Sequence, residues 1–489
     1  MLIGLGLHAR RVHHPLLAAV AAAGRADYLA VVDRPTAEAG VRAYLVSSPV
    51  APPLTLVEEL TPAGLLHPRT VARLDALVAR DRITTVLVAT EPLAHEQYAR
   101  WALSRRLHVL IDKPPTARDL VIESADQARL MVDDFSALAD ASARSGRCAW
   151  VLAQRRYHKG FRYIRTLIQE VRQRTGCPPT SITVEHADGE WRLPWEVLEQ
   201  EYHPFNRGYG VLLHSGYHAV DIALWLTGIT GPRHAGYESV TVTPHFTLLE
   251  DLRCALPDER IHRLLGCPPR PPADPARTAG LGELDARLLV ELHKDGVTPT
   301  VLSIGALHTS FSMRGWLDTA GRNLYTGNGR RVHETMAIHQ GPFQTIRLHS
   351  YRALTPGEPD ADRERVGGTR HWVLQVFRNS ALVPEWQPVT ALAGTDVPDD
   401  PEVALGRGWV WPGGPEPGLR GSVNAEKQDL VADFLRLAAR ADGGPPAGRS
   451  EADVASHQVT VAVIGAAYEA WAARSPTQPA TVTVKLGAS

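Results

Sequence analysis

Hydrophobic and polar positions alternate in two different ways along the 489 residues, and the change of pattern divides the chain. Up to about residue 148, short continuous apolar runs alternate with helical patterns. The runs are LIGLG (2–6), YLAVVD (28–33), TTVLVAT (84–90) and HVLIDKP (108–114). Continuous, β-branched runs without a polar face predict strands of a parallel sheet covered on both sides. Helical spacing predicts helices over Pro68–Arg80 and His95–Arg105, and 36–82 is otherwise Pro- and Ala-rich. Next, 150–171 reads as a strand running into an amphipathic helix, with Lys159 and Arg162 on its solvated side. Between 238 and 400, SVTVTPHFTLL, ARLLVELH, TVLSIGALHTSF, PFQTIRLHSYRAL and HWVLQVFR are separated by Gly/Pro turns. No regular helix is read between them, which predicts an antiparallel sheet. Amphipathic helices over 424–440 and 455–474 close the chain. The fold class is α/β: a parallel-sheet domain over 1–148, then an α/β domain with an open, mostly antiparallel sheet over 149–489.

One stretch combines pattern with chemistry. GYGVLLHSGYHAVDIALWLTG (208–228) reads as one amphipathic helix, burying Leu213, Tyr217, Val220 and Leu224. His214, His218 and Asp221 follow at i, i+4 and i+7 and so share a second face. Such a stripe is an acid–base site, a metal site or a solvated face. Two His and an Asp at this spacing can chelate zinc, but no H-E-x-x-H is present.

Composition narrows the classes. A net charge of −1, with 44% apolar and 21% charged residues, describes a soluble globular protein and gives no reason to expect nucleic acid or an anionic membrane as partner. Cys148, Cys177, Cys254 and Cys267 form no CxxC pair and suit free thiols in a reducing compartment. No apolar run approaches the ~20 residues of a membrane span. Arg10, Arg11, His13 and His14 interrupt what would be a signal peptide. A cytoplasmic location is expected. Positive charge is mostly Arg, so each retained Lys invites a reason.

The opening MLIGLGLHA places Gly4, Gly6 and Ala9 in G-x-G-x-x-A spacing around His8, directly after an apolar run. In a dinucleotide fold the first Gly makes the turn, the second admits the pyrophosphate and the small third residue packs helix on strand. Asp33, ending the second run, is where an NAD ribose would be held, while Arg34 would suit the 2′-phosphate of NADP. The balance favours NAD, with NADP the alternative. Only three residues precede the turn, which leaves open a short edge strand or a late start. Thr90, Asp112 and Lys113 fall at the carboxyl ends of predicted strands, where parallel sheets bind ligands.

ATEPLAHEQYARWALSRRLHVLIDKP resembles the nucleotide-binding core of the glucose-fructose oxidoreductase/inositol dehydrogenase (Gfo/Idh/MocA) family. That family's TP-x-x-x-H turn is matched by Thr90, Pro92 and His95, and its Glu-Lys-Pro strand end by Asp112, Lys113 and Pro114. The resemblance implies that these residues face the cofactor, with Lys113 between nicotinamide and substrate. Arg156 and Tyr157 resemble the family's Arg-aromatic segment and would contact substrate. In the 208–228 helix, Gly216, His218 and Asp221 align with the family pattern, whereas His214 replaces a carboxylate. His218 thereby inherits the acid–base role, with Asp221 beside it. His214 either tunes His218 or binds an anionic part of the substrate. Trp191, Trp195 and Tyr202 could wall a sugar site or pack a core. Pro-rich 255–280, with 353–370 and 395–421, reads as inserted loops.

The resemblance implies a Rossmann domain, NAD (or NADP) as cofactor, no metal, and assembly into a homodimer or homotetramer through the second sheet. The implied activity is hydride transfer at a carbon of a sugar, amino-sugar or cyclitol, free or nucleotide-linked. Two alternatives remain: epimerisation or glycoside cleavage through transient oxidation, and a non-catalytic nucleotide-sensing or scaffold protein.

Overall fold

The computed structural model describes residues 1–200, 203–229, 234–266, 278–315, 329–353, 370–394, 397, 425–440, 450–475 and 480–486. Tyr202, Cys267 and most of the three predicted insertions lie outside the described residues. The chain forms two compact units.

The first unit comprises Met1–Ala117, Met131–His158 and Trp411–Val461. β1 (Leu2–Ile3) leads through the glycine turn into α1 (Leu7–Arg11) and α2 (His13–Ala22). Then come β2 (Val31–Asp33), α3 (Glu38–Ser47), β3 (Leu54–Leu56), α4 (Pro68–Asp81), β4 (Thr85–Val88), α5 (Pro92–Ser104) and β5 (His108–Ile111). α6 (Ala125–Ser145), whose residues from Met131 onward belong to this unit, precedes β6 (Ala149–Val151). All six strands are parallel, in the order β3-β2-β1-β4-β5-β6. The strand order reverses between β1 and β4, and at such a point the carboxyl ends splay into a ligand crevice. β1 is therefore central, not an edge. α3 and β3 occupy a stretch whose Pro and Ala content hid them, with strand β3 only half-buried. The helix Ala425–Arg440 returns to this unit, where Leu430, Val431 and Phe434 join a core containing Leu2, Leu5, Val31, Leu110 and Trp150.

The second unit comprises Arg118–Leu130, Lys159–Val410 and Ala462–Ser489. It contains α7 (Lys159–Thr175), β7 (Ser181–Ala187), α8 (Pro194–Glu199), α9 (Val211–His214), α10 (Tyr217–Leu226), β8 (Ser239–Thr247), α11 (Leu249–Ala255) and α12 (Asp258–Leu265). β9 (Asp285–Lys294), β10 (Val297–Leu307), β11 (Arg331–Gln340), β12 (Gln344–Ala353), β13 (Arg370–Arg378), β14 (Val389–Ala393) and β15 (Val482–Lys485) complete it. Among the described residues its sheet runs β14-β13-β12-β11-β7-β10-β9-β8-β15. Every pairing is antiparallel except β7 with β10. Two helices, α11 and α12, correct the expectation of none between the strands. Lys159 is also corrected: it is half-buried, and its Nζ donates to the carbonyl of Val397 at 3.2 Å.

The single amphipathic helix expected over 208–228 is likewise revised. It is two helices, α9 and α10, interrupted at Ser215-Gly216. Every residue from Tyr217 to Leu226 is buried, so this is an interior helix with no solvated face. α10 packs against β7 and β10. The interruption lies where the backbone meets β10: a Cβ on Gly216 would stand 2.8 Å from the Cβ of Ala306. Only a residue without a side chain lets the helix sit this close.

Candidate active site

In the first unit the site is built at the strand-order reversal. Gly4 has φ +90, and a Cβ there would lie 2.6 Å from the carbonyl oxygen of Ala89. Both features restrict the position to glycine. A Cβ at Gly6 would meet nothing within 4 Å, so the turn is open above it, and Ala9 is buried in the core beneath. Asp33 braces this turn. Its Oδ2 accepts from the Leu5 amide and its Oδ1 from the Arg34 amide, each at 2.8 Å. Each carboxylate oxygen keeps a further acceptor site for a ribose hydroxyl. Arg34 is exposed and lies 3.7 Å from Glu59 Oε1, so a carboxylate already answers its charge. The open glycine turn and the acidic end of β2 fit NAD.

Asp112, at the end of β5, is the charge centre of this region. Its Oδ2 accepts from His13 Nε2 at 3.0 Å and lies 3.9 Å from His8 Nε2, and its Oδ1 accepts from the Lys113 amide at 2.8 Å. Burial pushes its carboxyl up, but the hydrogen bond and charge of His13, with the ammonium of Lys427, bring it well below the usual carboxylate range. His8 is held well below the ordinary imidazole value by burial and then by Lys427, whose Nζ lies 3.0 Å from His8 Nε2. His8 is therefore neutral and accepts from that ammonium. His8, His13 and Asp112 could group around a metal ion, but Lys427 already supplies the cation. Lys113 itself is half-buried, directly past Asp112, in a cis peptide bond to Pro114.

Thr90 and Pro92 stand at the end of β4 and the start of α5, where Pro suits the first helical position. His95 has a different role from the one the motif implied. It is 1% exposed, with Nδ1 2.7 Å from the Pro114 carbonyl and Nε2 3.0 Å from the Thr90 carbonyl. It ties the ends of β4 and β5 together and presents no donor to a ligand. Arg156 is similarly corrected. Its guanidinium is 2.5 Å from the Glu451 carbonyl and 2.8 Å from Ser456 Oγ, and Tyr157 lies in the core. Both are fastenings for the returning segment.

In the second unit, His214 (4% exposed), His218 (9%) and Asp221 (1%) are all buried. His214 ends α9 and is boxed by aromatic rings: His203 stacks on it at 4.8 Å, and Phe205 and Tyr209 approach edge-on at 5.1 and 5.5 Å. His218 lies in the first turn of α10, beyond the interruption, so its register with His214 is not that of a continuous helix. Trp191 is half-buried and its carbonyl accepts from Arg314 Nη1 at 3.0 Å. Trp195 stacks at 5.2 Å on His262, which covers one face of the indole.

A polar group that the sequence reading passed over sits where β7 and β10 end side by side. Asp188 Oδ2 accepts from His308 Nδ1 at 2.9 Å, and Glu190 pairs with Arg192 at 2.8 Å and Arg330 at 2.7 Å. The signal was available in the alternation. Ile182, Val184, His186 and Asp188 share one face of β7 and its extension, as Leu302, Ile304, Ala306 and His308 do for β10. Polar residues thus end two rows of inward positions. Asp188, Glu190 and His308 could also group around a metal ion, but the two guanidinium groups already balance both carboxylates.

Among solved structures, the fold matches an oxidoreductase from Agrobacterium radiobacter in complex with NAD+, L-tartaric acid and magnesium (TM-score 0.55, 14% identity, 99% of this chain and 97% of that one). It also matches an oxidoreductase domain protein from Kribbella flavida (0.56, 17%, 100% and 98%) and a levoglucosan dehydrogenase in complex with NADH and L-sorbose (0.52, 17%, 99% and 98%). At these identities the likeness concerns the fold. No curated protein matches the sequence. Residues 1–138 match the GFO_IDH_MocA model, described as an oxidoreductase family with an NAD-binding Rossmann fold. The six-stranded parallel sheet and its glycine turn are those of the NAD-binding Rossmann fold that this model describes, and residues 1–138 are similar to that family's nucleotide-binding domain.

Proposed function

We propose that the protein is an NAD-dependent dehydrogenase or reductase acting on a hydroxyl-bearing carbon of a sugar, amino-sugar or cyclitol. The observation that carries this reading is the position of Lys113, one residue beyond the half-buried Asp112 carboxylate at the end of β5, in a sheet whose glycine turn fits a dinucleotide. NAD, when bound, accepts or donates the hydride. An ammonium at the reacting oxygen polarises the carbon–oxygen bond and balances the charge that develops there. His218, an imidazole on a buried helix, would exchange the hydroxyl proton, since an imidazole ring nitrogen can both accept and donate one. Asp112 keeps the end of β5 anionic beside that ammonium.

The two residues belong to different units and are tested separately. Lys113→Met is expected to bind NADH as the wild type does, by fluorescence, yet to turn over a polyol panel about 10²–10⁴-fold more slowly. His218→Asn is expected to lower the rate similarly and to remove one limb of the pH–rate profile. Turnover at the wild-type rate in Lys113→Met would overturn the assignment. Product formed without net NADH would point to transient oxidation within a non-redox reaction.

A further inference from the structure

The Asp188–His308 pair is a built polar site that hydride transfer by Lys113 and His218 leaves unused. His308 is 4% exposed and Asp188 5%. His308 is fixed twice: Nδ1 to Asp188 Oδ2 at 2.9 Å, and its backbone amide to Asp285 Oδ1 at 2.7 Å. Asp285 also accepts from the Thr309 amide at 2.9 Å and from the Thr309 hydroxyl. Burial pushes Asp188 up, but His308 and Arg330 bring it well below the usual carboxylate range. An ionised carboxylate only accepts, so the proton of a neutral His308 ring resides on Nδ1 and Nε2 is left as an acceptor. Among the described residues that buried Nε2 has no hydrogen-bond partner. Leaving such an acceptor dry is costly unless something fills it.

Its surroundings indicate what does. His308 follows Ala306 by two, so it shares the sheet face on which Ala306 meets Gly216 at the start of α10. Phe205 packs against the His308 ring at 5.1 Å and against the His214 ring at 5.1 Å, so the dyad and α9 flank one aromatic ring. Guanidinium groups neutralise the nearby Glu190, so an anion or a cation gains little here.

We infer that His308, oriented by Asp188, accepts a hydrogen bond from a hydroxyl group of a polyhydroxylated substrate in the second unit. The identity of the ligand rests on the hydride-transfer reading, whereas the geometry of the dyad does not. The test uses the full chain, labelled with ¹⁵N-histidine and loaded with NAD+, with L-sorbose, myo-inositol and D-glucose as probes. His308→Gln identifies the resonances. The expected result is an Nδ1–H ring with unprotonated Nε2, lost in Asp188→Asn, and an Nε2 resonance that moves when at least one probe is added. For a probe that turns over, His308→Gln is expected to raise KM about 10- to 100-fold with a smaller change in kcat. A protonated Nε2, an Nε2 resonance unmoved by all three probes, or an unchanged KM would each overturn the inference. Undiminished turnover in Lys113→Met would remove the hydride assignment and leave the His308 resonances as they are.

Discussion

Glu283 shows how one side chain can carry a pH dependence. Its carboxyl is fully buried, with Oε1 accepting from the Leu212 amide and from the Tyr468 hydroxyl, each at 2.8 Å. The Leu212 amide lies in the first turn of α9, so the carboxyl closes an otherwise open helix end. Burial pushes Glu283 up from 4.5 to about 7. Between those values the folded chain holds a proton that the unfolded chain has lost, so the stability this group contributes falls as pH rises from 4.5 through 7. Outside that window it is flat. The full swing is at most about 3 kcal/mol. Glu283→Gln keeps an acceptor for both donors and is expected to remove this slope. Urea unfolding of both proteins at pH 5 and pH 8 measures it. The same wild-type-to-variant difference at both pH values would show that Glu283 does not titrate in this range.

At the scale of elements, the contact between α10 and β10 rests on the absence of a single carbon. Gly216→Ala is expected to cost about 1–3 kcal/mol through overpacking against Ala306. Adding Ala306→Gly should recover part of that loss, a coupling that chemical denaturation of the double-mutant cycle would reveal. The same contact shows what the sequence could and could not convey. Continuous apolar runs located β2, β4 and β5, and the glycine spacing located the turn, because both signals are local. The interruption before α10 was illegible, since it answers the Ala306 Cβ on β10 some ninety positions later in the chain. RVHETMAIHQ, which forms β11, alternates correctly but carries Arg331, His333 and His339 on one face and the buried Glu334, beside His186, on the other. Arg156 and His95 were misplaced for a related reason: a motif shows that a residue is constrained but not whether a ligand or a neighbouring backbone constrains it.

At the scale of the whole molecule, the first unit is not continuous in sequence. Its core needs Leu430, Val431 and Phe434, and its glycine turn needs Lys427 against His8. Neither dependence is visible in the amphipathic pattern of 424–440, which reveals a buried face without naming its partner. The consequence is temporal. A ribosome has delivered every strand of the six-stranded sheet by residue 151, yet the segment that completes that core begins at 411. At ordinary elongation rates the interval is roughly 10 to 50 s. Throughout it, the faces of Leu2, Leu5 and Trp150 that the late helix covers are expected to wait uncovered. The nucleotide fold of this protein is then expected to begin first and finish late, the reverse of the usual N-terminal-first order. Nascent chains arrested before residue 411 are expected to be cut readily by protease and to leave NADH fluorescence unchanged, and chains arrested well beyond 461 to resist cutting and bind the dinucleotide. Equal protection at both lengths would show that the early strands close without the late helix.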